Sequence, residues 1–313
     1  MKKILNSLLI SLIIIFFLVQ FLINSEDLFK TFFLSIDMWF TKLFPTMFIF
    51  FIISDLLNNY HFPFIMQKIF GNLYHKIFKL PKEASYISFL SMTSGFPSNA
   101  KIILDAIDNN IINEMDANKL LTMTHFANPL FIIYTVGINV LHNKKIGIII
   151  LISHYITNFI IGFLFRNIYK NNINNNKKEM IYEPSLPFIN ILKKSINNTI
   201  KISFNVLGII IIFSLIVKII NTYLNLNFFS NLILNGLLEI TNGFNILQNN
   251  HFSLIKTSVL STFFLSFGGL SIHMQVNSIL SKYHLNYYIY FIARCLHGGI
   301  SSLLTLIILI KCY

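Results

Sequence analysis

The sequence predicts an all-α polytopic membrane protein, with about six transmembrane helices and two re-entrant broken hairpins arranged as an inverted repeat. The 313 residues are 55% hydrophobic and only 12% charged, with a mean hydropathy of +0.67, whereas soluble domains carry about 25% charged residues. Glycine and proline also interrupt two long apolar runs, at 94–101 and 266–273. Lipid tolerates such breaks only where protein or a water-filled cavity surrounds the freed backbone groups.

The basic residues indicate membrane orientation rather than nucleic-acid binding. The chain has 24 Lys and Arg against 12 Asp and Glu, which gives a net charge of +12. Because these residues collect in short loops beside apolar spans, the positive-inside rule accounts for them. We therefore expect the lipid bilayer, and no nucleic acid, as a partner.

The first elements are an uncleaved apolar span and a segment of two parts. Ile4–Ile23 is long enough to cross the hydrocarbon core. Residues 29–43 are predicted to form an amphipathic interfacial helix, and residues 44–57 the core of a span. A lysine-rich loop follows, in which Gly71 and Pro81 are expected to break regular structure.

The first interrupted segment is residues 84–107, which we predict to be a re-entrant hairpin because the polar stretch 108–119 after it resembles an inside loop. Spans are then predicted at 120–141 and 146–165. Within the first of these, Asn128-Pro129 is a further break, which either kinks the helix or exposes a carbonyl to a cavity.

The second half is predicted to repeat this order. An asparagine-rich linker at 166–187, expected to be disordered and cytoplasmic, precedes an amphipathic segment at 190–203 and a span at 204–224. Residues 254–280 are the second interrupted segment, predicted as another re-entrant hairpin. A last span at 287–310 holds Cys295 and Cys312, which lie about 25 Å apart along one helix and so cannot form a disulfide with each other.

These elements divide the chain into an N-terminal transmembrane helix (1–27), a first repeat (28–165), the linker (166–187) and a second, inverted repeat (188–313). The alignment of the halves pairs Gly95 with Gly268 and Ser98 with Ser271. Loop charge places the mouth of the first hairpin inside and that of the second outside. It also predicts that the N-terminus and the C-terminus are both cytoplasmic.

The breaks are the candidate binding site. A helix that restarts inside the membrane presents unpaired N–H groups and a partial positive charge, which favours a solute with anionic or acceptor groups. The alternative is tight helix packing through small residues. The predicted binding residues are Gly95, Pro97, Ser98, Asn99, Lys101, Asn128, Glu239, Asn242, Gly268, Gly269, Ser271, His273 and Gln275.

Ionisable residues within apolar segments are costly and mark function by default. Lys101 either contacts the solute or pairs with Asp105 four residues later, and Glu239 could neutralise Arg294. The histidines lack the spacing of metal ligands, and no nucleophile–base pair or intramembrane protease motif occurs. We expect no metal, no cofactor and no enzymatic activity.

Four motifs, in order along the chain, give a family resemblance. They are Ser94-Gly95-Phe96-Pro97-Ser98-Asn99-Ala100-Lys101, Asn128-Pro129-Leu130-Phe131-Ile132, Gly236-Leu237-Leu238-Glu239-Ile240-Thr241-Asn242-Gly243 and Ser266-Phe267-Gly268-Gly269-Leu270-Ser271-Ile272-His273-Met274-Gln275-Val276. The chain resembles the sporulation integral membrane protein YlbJ family, whose members carry the nucleoside-recognition or "Gate" domain. Family members more often carry Tyr and Gly at the positions of Phe96 and Asn99. The resemblance implies a bacterial cell-membrane protein of endospore formation and names no substrate.

The sequence thus predicts a transporter or channel-like protein that moves a polar small solute through a midplane site between the two hairpins. The alternative is a non-transporting membrane scaffold that recruits spore-assembly proteins. Self-association and sporulation proteins as partners stay open at this point.

Overall fold

The structure, a computed structural model, describes residues 2–60, 62–169, 186–250, 252–283 and 285–312. These residues form α-helices and two π-helical segments, and none of them lies in a β-strand. Six helical runs are long and apolar enough to cross a membrane: Ile4–Ile23, Ser25–Asn58, Lys144–Leu164, Phe188–Tyr223, Leu254–Ile279 and Tyr287–Cys312. The predicted class, an all-α polytopic membrane protein, is confirmed.

The second of these runs is continuous. After α1 (Lys2–Ile23), helix α2 (Ser25–Met38) passes through a π-helical segment (Trp39–Leu43) directly into α3 (Phe44–Asn58). The predicted division into an interfacial helix and a separate span is therefore wrong. The run packs along a long helix of the second half. Lys218 of that helix lies 2.8 Å from the carboxylate of Asp27, so the protein itself supplies an ionic partner for the polar start of the run.

The predicted lysine-rich loop is largely a helix, α4 (Phe62–Phe78). Gly71 lies within α4, where an added Cβ would be 2.8 Å from the Cβ of Lys82, so this glycine serves close packing and not a break. Large apolar residues four positions apart pack α4 onto the core: Phe62, Met66, Phe70, Tyr74 and Phe78.

Hairpin 1 consists of α5 (Ala84–Ser94) and α6 (Ser98–Asp108), which pack against each other with residues 95–97 at the tip. The break falls where the sequence predicts it. Gly95 has a φ of +77°, which glycine adopts without steric cost.

The predicted span at 120–141 is not one helix. Helix α7 (Glu114–Met123) ends within it, residues 124–128 are not helical, and the chain is π-helical over Phe131–Val140. Residues 114–140 are called broken span 1. The predicted break at Asn128-Pro129 is confirmed, because proline removes a donor and disfavours a helical residue before it. Helix α8 (Lys144–Leu164) follows as the predicted span.

In the second half, α9 (Phe188–Tyr223) is a single helix of 36 residues rather than an amphipathic segment and a span. Helices α10 (Phe228–Leu238) and α11 (Ile240–Gln248) pack against each other as hairpin 2, with Glu239 at the tip. Helices α12 (Leu254–Phe267) and α13 (Gly269–Ile279) follow, and α14 (Tyr287–Cys312) holds both cysteines, which are free and exposed.

Helices α12 and α13 form a 26-residue run that is long and apolar enough to cross a membrane, and this run is called broken span 2. The loop after α13 lies beside the base of hairpin 1, since Lys282 is 2.6 Å from the carboxylate of Asp108. The backbone N–H of Asn286 likewise donates to Oδ1 of Asn118 at 2.7 Å. The predicted hairpin at 254–280 is wrong because α12 and α13 do not pack along each other, whereas the two arms of hairpin 1 and of hairpin 2 do.

Each half therefore contains a long helix, a hairpin, a broken span and a final span in the same order. Element order pairs hairpin 1 with hairpin 2, so the alignment of Gly95 with Gly268 and of Ser98 with Ser271 is wrong. Of the predicted linker at 166–187, residues 170–185 lie outside the described residues.

Candidate functional site

The tip of hairpin 1 is bonded to the non-helical part of broken span 1. The backbone N–H of Phe96 donates to the carbonyl of Phe126 at 2.8 Å, and Nδ2 of Asn99 donates to the carbonyl of Thr124, also at 2.8 Å. Backbone groups freed by the break in one element are thus satisfied by the other, as a buried break requires.

Asn128 restarts the helix after this break. Its Oδ1 accepts hydrogen bonds from the backbone N–H groups of Leu130 at 2.8 Å and Phe131 at 3.3 Å, which caps the helix N-terminus. Gly95 lies directly on it, because a Cβ at this glycine would be 2.4 Å from the Asn128 nitrogen. Only glycine permits this approach of two backbones.

Hairpin 2 meets broken span 2 in a comparable way. An added Cβ at Gly269 would be 3.1 Å from Cγ2 of Ile240, just beyond the tip of hairpin 2. An added Cβ at Gly268 would be 2.5 Å from Nε2 of His125, in broken span 1. The two broken spans therefore cross at Gly268, and both hairpin tips lie against the breaks.

Glu239, at the tip of hairpin 2, caps α11. Its Oε1 accepts hydrogen bonds from the backbone N–H of Thr241 at 3.1 Å and from the hydroxyl of the same residue at 2.9 Å. The side chain is 1% exposed. Among the described residues, its Oε2 has no hydrogen-bond partner.

The tips and the broken spans enclose a cavity of about 40 Å³, called the central cavity. It holds only a few water molecules, so a larger solute requires the surrounding elements to move apart. Its lining residues come from the α2–α3 run, hairpin 1, broken span 1, α9, hairpin 2 and broken span 2: Leu43, Met47, Phe96, Asn128, Phe131, Val206, Ile210, Glu239, Ile240, Thr241, Ile272 and Gln275.

Three of the predicted binding residues, Asn128, Glu239 and Gln275, line the central cavity. Ser271 is buried, and its hydroxyl faces the carboxyl of Glu239. The predicted residues that form or hold the breaks without lining the cavity are Gly95, Pro97, Asn99, Gly268 and Gly269.

Lys101 does not reach the central cavity. It forms an ion pair with Asp105, and both residues line a separate cavity of about 20 Å³ together with Ser98 and Asp55. The alternative interpretation, a pair along one helix face, is confirmed. The predicted contact of Lys101 with a midplane solute loses its support.

Arg294 does not pair with Glu239. Its guanidinium is fully buried and donates to the carbonyl of Thr122 and to Nδ1 of His297, the latter at 2.9 Å. Thr122 lies in the last turn of α7, where the helix carries a partial negative charge. The break in span 1 thus supplies the acceptor for this buried cation.

His273 and Asn242 connect helices. Nε2 of His273 donates to the carbonyl of Phe267 at 3.0 Å, which leaves Nδ1 as acceptor for the hydroxyl of Tyr287 at 3.1 Å. Nδ2 of Asn242 is 3.4 Å from the hydroxyl of Ser214 on α9. In the described part of the chain, no cluster of three or more His, Cys, Asp or Glu is arranged to hold a metal ion.

The sequence interpretation missed the apolar walls of the central cavity. Leu43 and Phe131 line it from the two π-helical segments, which often mark functional sites. Nothing in their polarity distinguishes them from core residues, so only the tertiary structure identifies them.

The base of hairpin 1 forms hydrogen bonds with the loop that follows broken span 2. The ammonium of Lys282 and the hydroxyl of Tyr283 both donate to the Asp108 carboxylate. These hydrogen bonds hold the pKa of Asp108 below its ordinary value of 3.8, and the one from Lys282 has the largest effect.

These features define a polytopic membrane protein in which two helical hairpins and two broken spans surround a small buried cavity. The chain is 25% identical to the sporulation integral membrane protein YlbJ of Bacillus subtilis (strain 168), over 97% of this chain and 83% of that protein. This similarity agrees with the resemblance to the family of sporulation integral membrane proteins that the four motifs indicate. No family model matches the chain. No solved structure matches it either.

Proposed function

We propose that the protein moves a polar small solute across the membrane of sporulating cells, through the central cavity. The supporting observation is that this cavity is lined by residues of both hairpins and both broken spans. Breaks are costly in lipid, and transporters place discontinuous helices around midplane sites. A scaffold has no physical need for four breaks that converge on one cavity.

The arrangement also supports alternating access. Hairpin 1 has its base beside the loop at Lys282, whereas hairpin 2 follows the far end of α9. Withdrawal of one tip from its broken span would open the cavity to one side, and withdrawal of the other tip would open it to the opposite side. The proposed mechanism involves movement of a solute and no chemical reaction.

The first experiment measures thermal stabilisation of the purified protein in detergent by a panel of nucleosides, nucleotides, dicarboxylates and other polar metabolites. We expect at least one class to raise the unfolding temperature. The shift should be lost in Gln275→Leu, whose side chain lines the cavity and is 4% exposed. It should persist in the control Met274→Leu, because Met274 is 51% exposed on the same helix.

Compounds that raise the unfolding temperature of the protein are then tested for uptake into proteoliposomes. Equal shifts in both variants would place binding outside the cavity and contradict the proposal. Absence of both binding and uptake across the panel would favour the scaffold alternative, which partner capture with the linker deleted would then test.

A further inference from the structure

Among the described residues, the carboxyl group of Glu239 is the one ionisable group in the lining of the central cavity. Its Oε1 accepts two hydrogen bonds from Thr241, whose donors are neutral. Its Oε2 is buried and forms no hydrogen bond of normal geometry with a described residue, although the Ser271 hydroxyl faces the carboxyl group. A carboxylate in this position would leave a buried negative charge only partly solvated.

The elements packed around Glu239 bring no cation to it. Broken span 2 contributes Ser271 and Gln275, and broken span 1 contributes Asn128. The remaining lining residues from hairpin 1, α9 and the α2–α3 run are apolar. In the part of the chain that the structure describes, the cavity lining includes no lysine, arginine or histidine.

Nearby cations are held elsewhere. Arg294 donates to Thr122 and His297, and His273 is bonded to Phe267 and Tyr287. Lys42 lines a neighbouring cavity of about 10 Å³ that also touches Thr241, and the ion pairs of the described residues do not join Lys42 to Glu239. A buried carboxyl without a counter-charge is least costly in its neutral form.

We propose that Glu239 carries a proton in this conformation and that this proton is the coupling ion, which makes the protein a proton–solute symporter. The O–H bond forms at Oε2 with a proton from water on the side to which the cavity is open. The protonated oxygen then donates to an acceptor atom of the solute, beside the Ser271 hydroxyl and the Gln275 amide. After the cavity opens to the other side, solute and proton both leave to water, and no other reactant is consumed.

This inference rests on the proposed transport function, but its first test needs no solute. Infrared difference spectra of the purified protein in lipid nanodiscs detect the carbonyl stretch of a protonated carboxylic acid at neutral pH. We expect this band in the wild type, its loss in Glu239→Gln, and its retention in the control Glu26→Gln, because Glu26 is exposed on α2. Thermal unfolding verifies that each variant is folded.

An identical spectrum in the wild type and in Glu239→Gln would show that Glu239 is ionised and would overturn the proposal. The solute-binding test with Gln275→Leu is independent of this result, so failure of the coupling inference and failure of the transport proposal are distinguishable.

Two further experiments test whether a cation is paired with the carboxyl group of Glu239. If Glu239 is neutral, Lys42→Gln leaves the band unchanged; a band that appears only in this variant would reveal a pair with Lys42 and overturn the proposal. Replacing choline chloride by sodium chloride should also leave the band unchanged, and its loss would identify a sodium site instead.

The final arm uses a compound that stabilises the protein in the screen described above. Because solute and proton bind together, the affinity of the wild type should fall about tenfold per pH unit once Glu239 deprotonates. Glu239→Gln should bind with no such dependence. The same pH dependence in both proteins would contradict coupling through this residue.

Discussion

At the scale of single residues, Gly95 determines how hairpin 1 meets broken span 1. Its φ of +77° and its approach to the backbone of Asn128 both exclude a side chain. The sequence predicts that the chain breaks here. It does not reveal that the second reason for glycine is a neighbour 33 positions away, because that contact exists only after hairpin 1 and broken span 1 pack together.

Gly95→Ala should destabilise the protein by about 1–3 kcal/mol from backbone strain, with a further cost from the clash at Asn128. The measurement is thermal or denaturant unfolding in detergent. Gly299→Ala is the matched control, since nothing lies within 4 Å of a Cβ at that helical glycine. Equal stability of the two variants would refute the assigned packing.

Asp108 gives a pH dependence. Its folded pKa is depressed, so its stabilising contact with Lys282 and Tyr283 is present above the ordinary pKa of 3.8 and is lost as the pH falls through the lower, folded value. The unfolding temperature of the wild type should exceed that of Asp108→Asn at neutral pH, and the difference should vanish in strong acid. A difference that persists there would exclude the ion pair as its cause.

At the scale of elements, hairpin 2 depends on close packing of its two arms. A Cβ added to Gly243 would be 2.6 Å from Cα of Gly236, so α10 and α11 touch through their backbones. The motif at 236–243 is evident in the sequence, but its spacing does not show that it forms a hairpin. The apolar run at 254–280 is the stronger sequence signal for a hairpin, but its two helices do not pack along each other.

Gly243→Leu should force the arms of hairpin 2 apart and cost about 1–3 kcal/mol of stability. The substitution Gly208→Leu should have little effect on stability, because nothing lies within 4 Å of a Cβ at that glycine. Unfolding measurements on both variants test this prediction. A Gly243→Leu protein that is as stable as the wild type would argue against the packed hairpin.

At the scale of the whole molecule, the number of membrane crossings determines on which sides the two termini lie. If each of the six apolar runs crosses the membrane and broken span 1 crosses it as well, the described chain has seven crossings. Loop charge predicts that both termini are cytoplasmic, whereas seven crossings would place them on opposite sides. Because the positive-inside rule weighs residues near each span, it cannot detect a crossing that was interpreted as a hairpin.

Reporter fusions at the two ends test this topology. With the N-terminus inside, a phosphatase that is active only outside the cytoplasm should be active when fused after Cys312 and inactive when fused before α1. Activity of neither fusion would restore the arrangement with both termini inside and would mean that one of the seven segments does not cross.

The sequence by itself determined the membrane class, the positions of the glycine and proline breaks, and the family resemblance. These follow from composition and from local backbone chemistry, which neighbouring residues suffice to specify. Only the tertiary structure decided which breaks form hairpins and which interrupt spans, that Lys101 and Arg294 have partners away from the cavity, and that Glu239 faces it without a cation. The physical reason is that hydrogen bonds, charge pairs and cavity walls join residues far apart in the chain, and no local pattern encodes those distances.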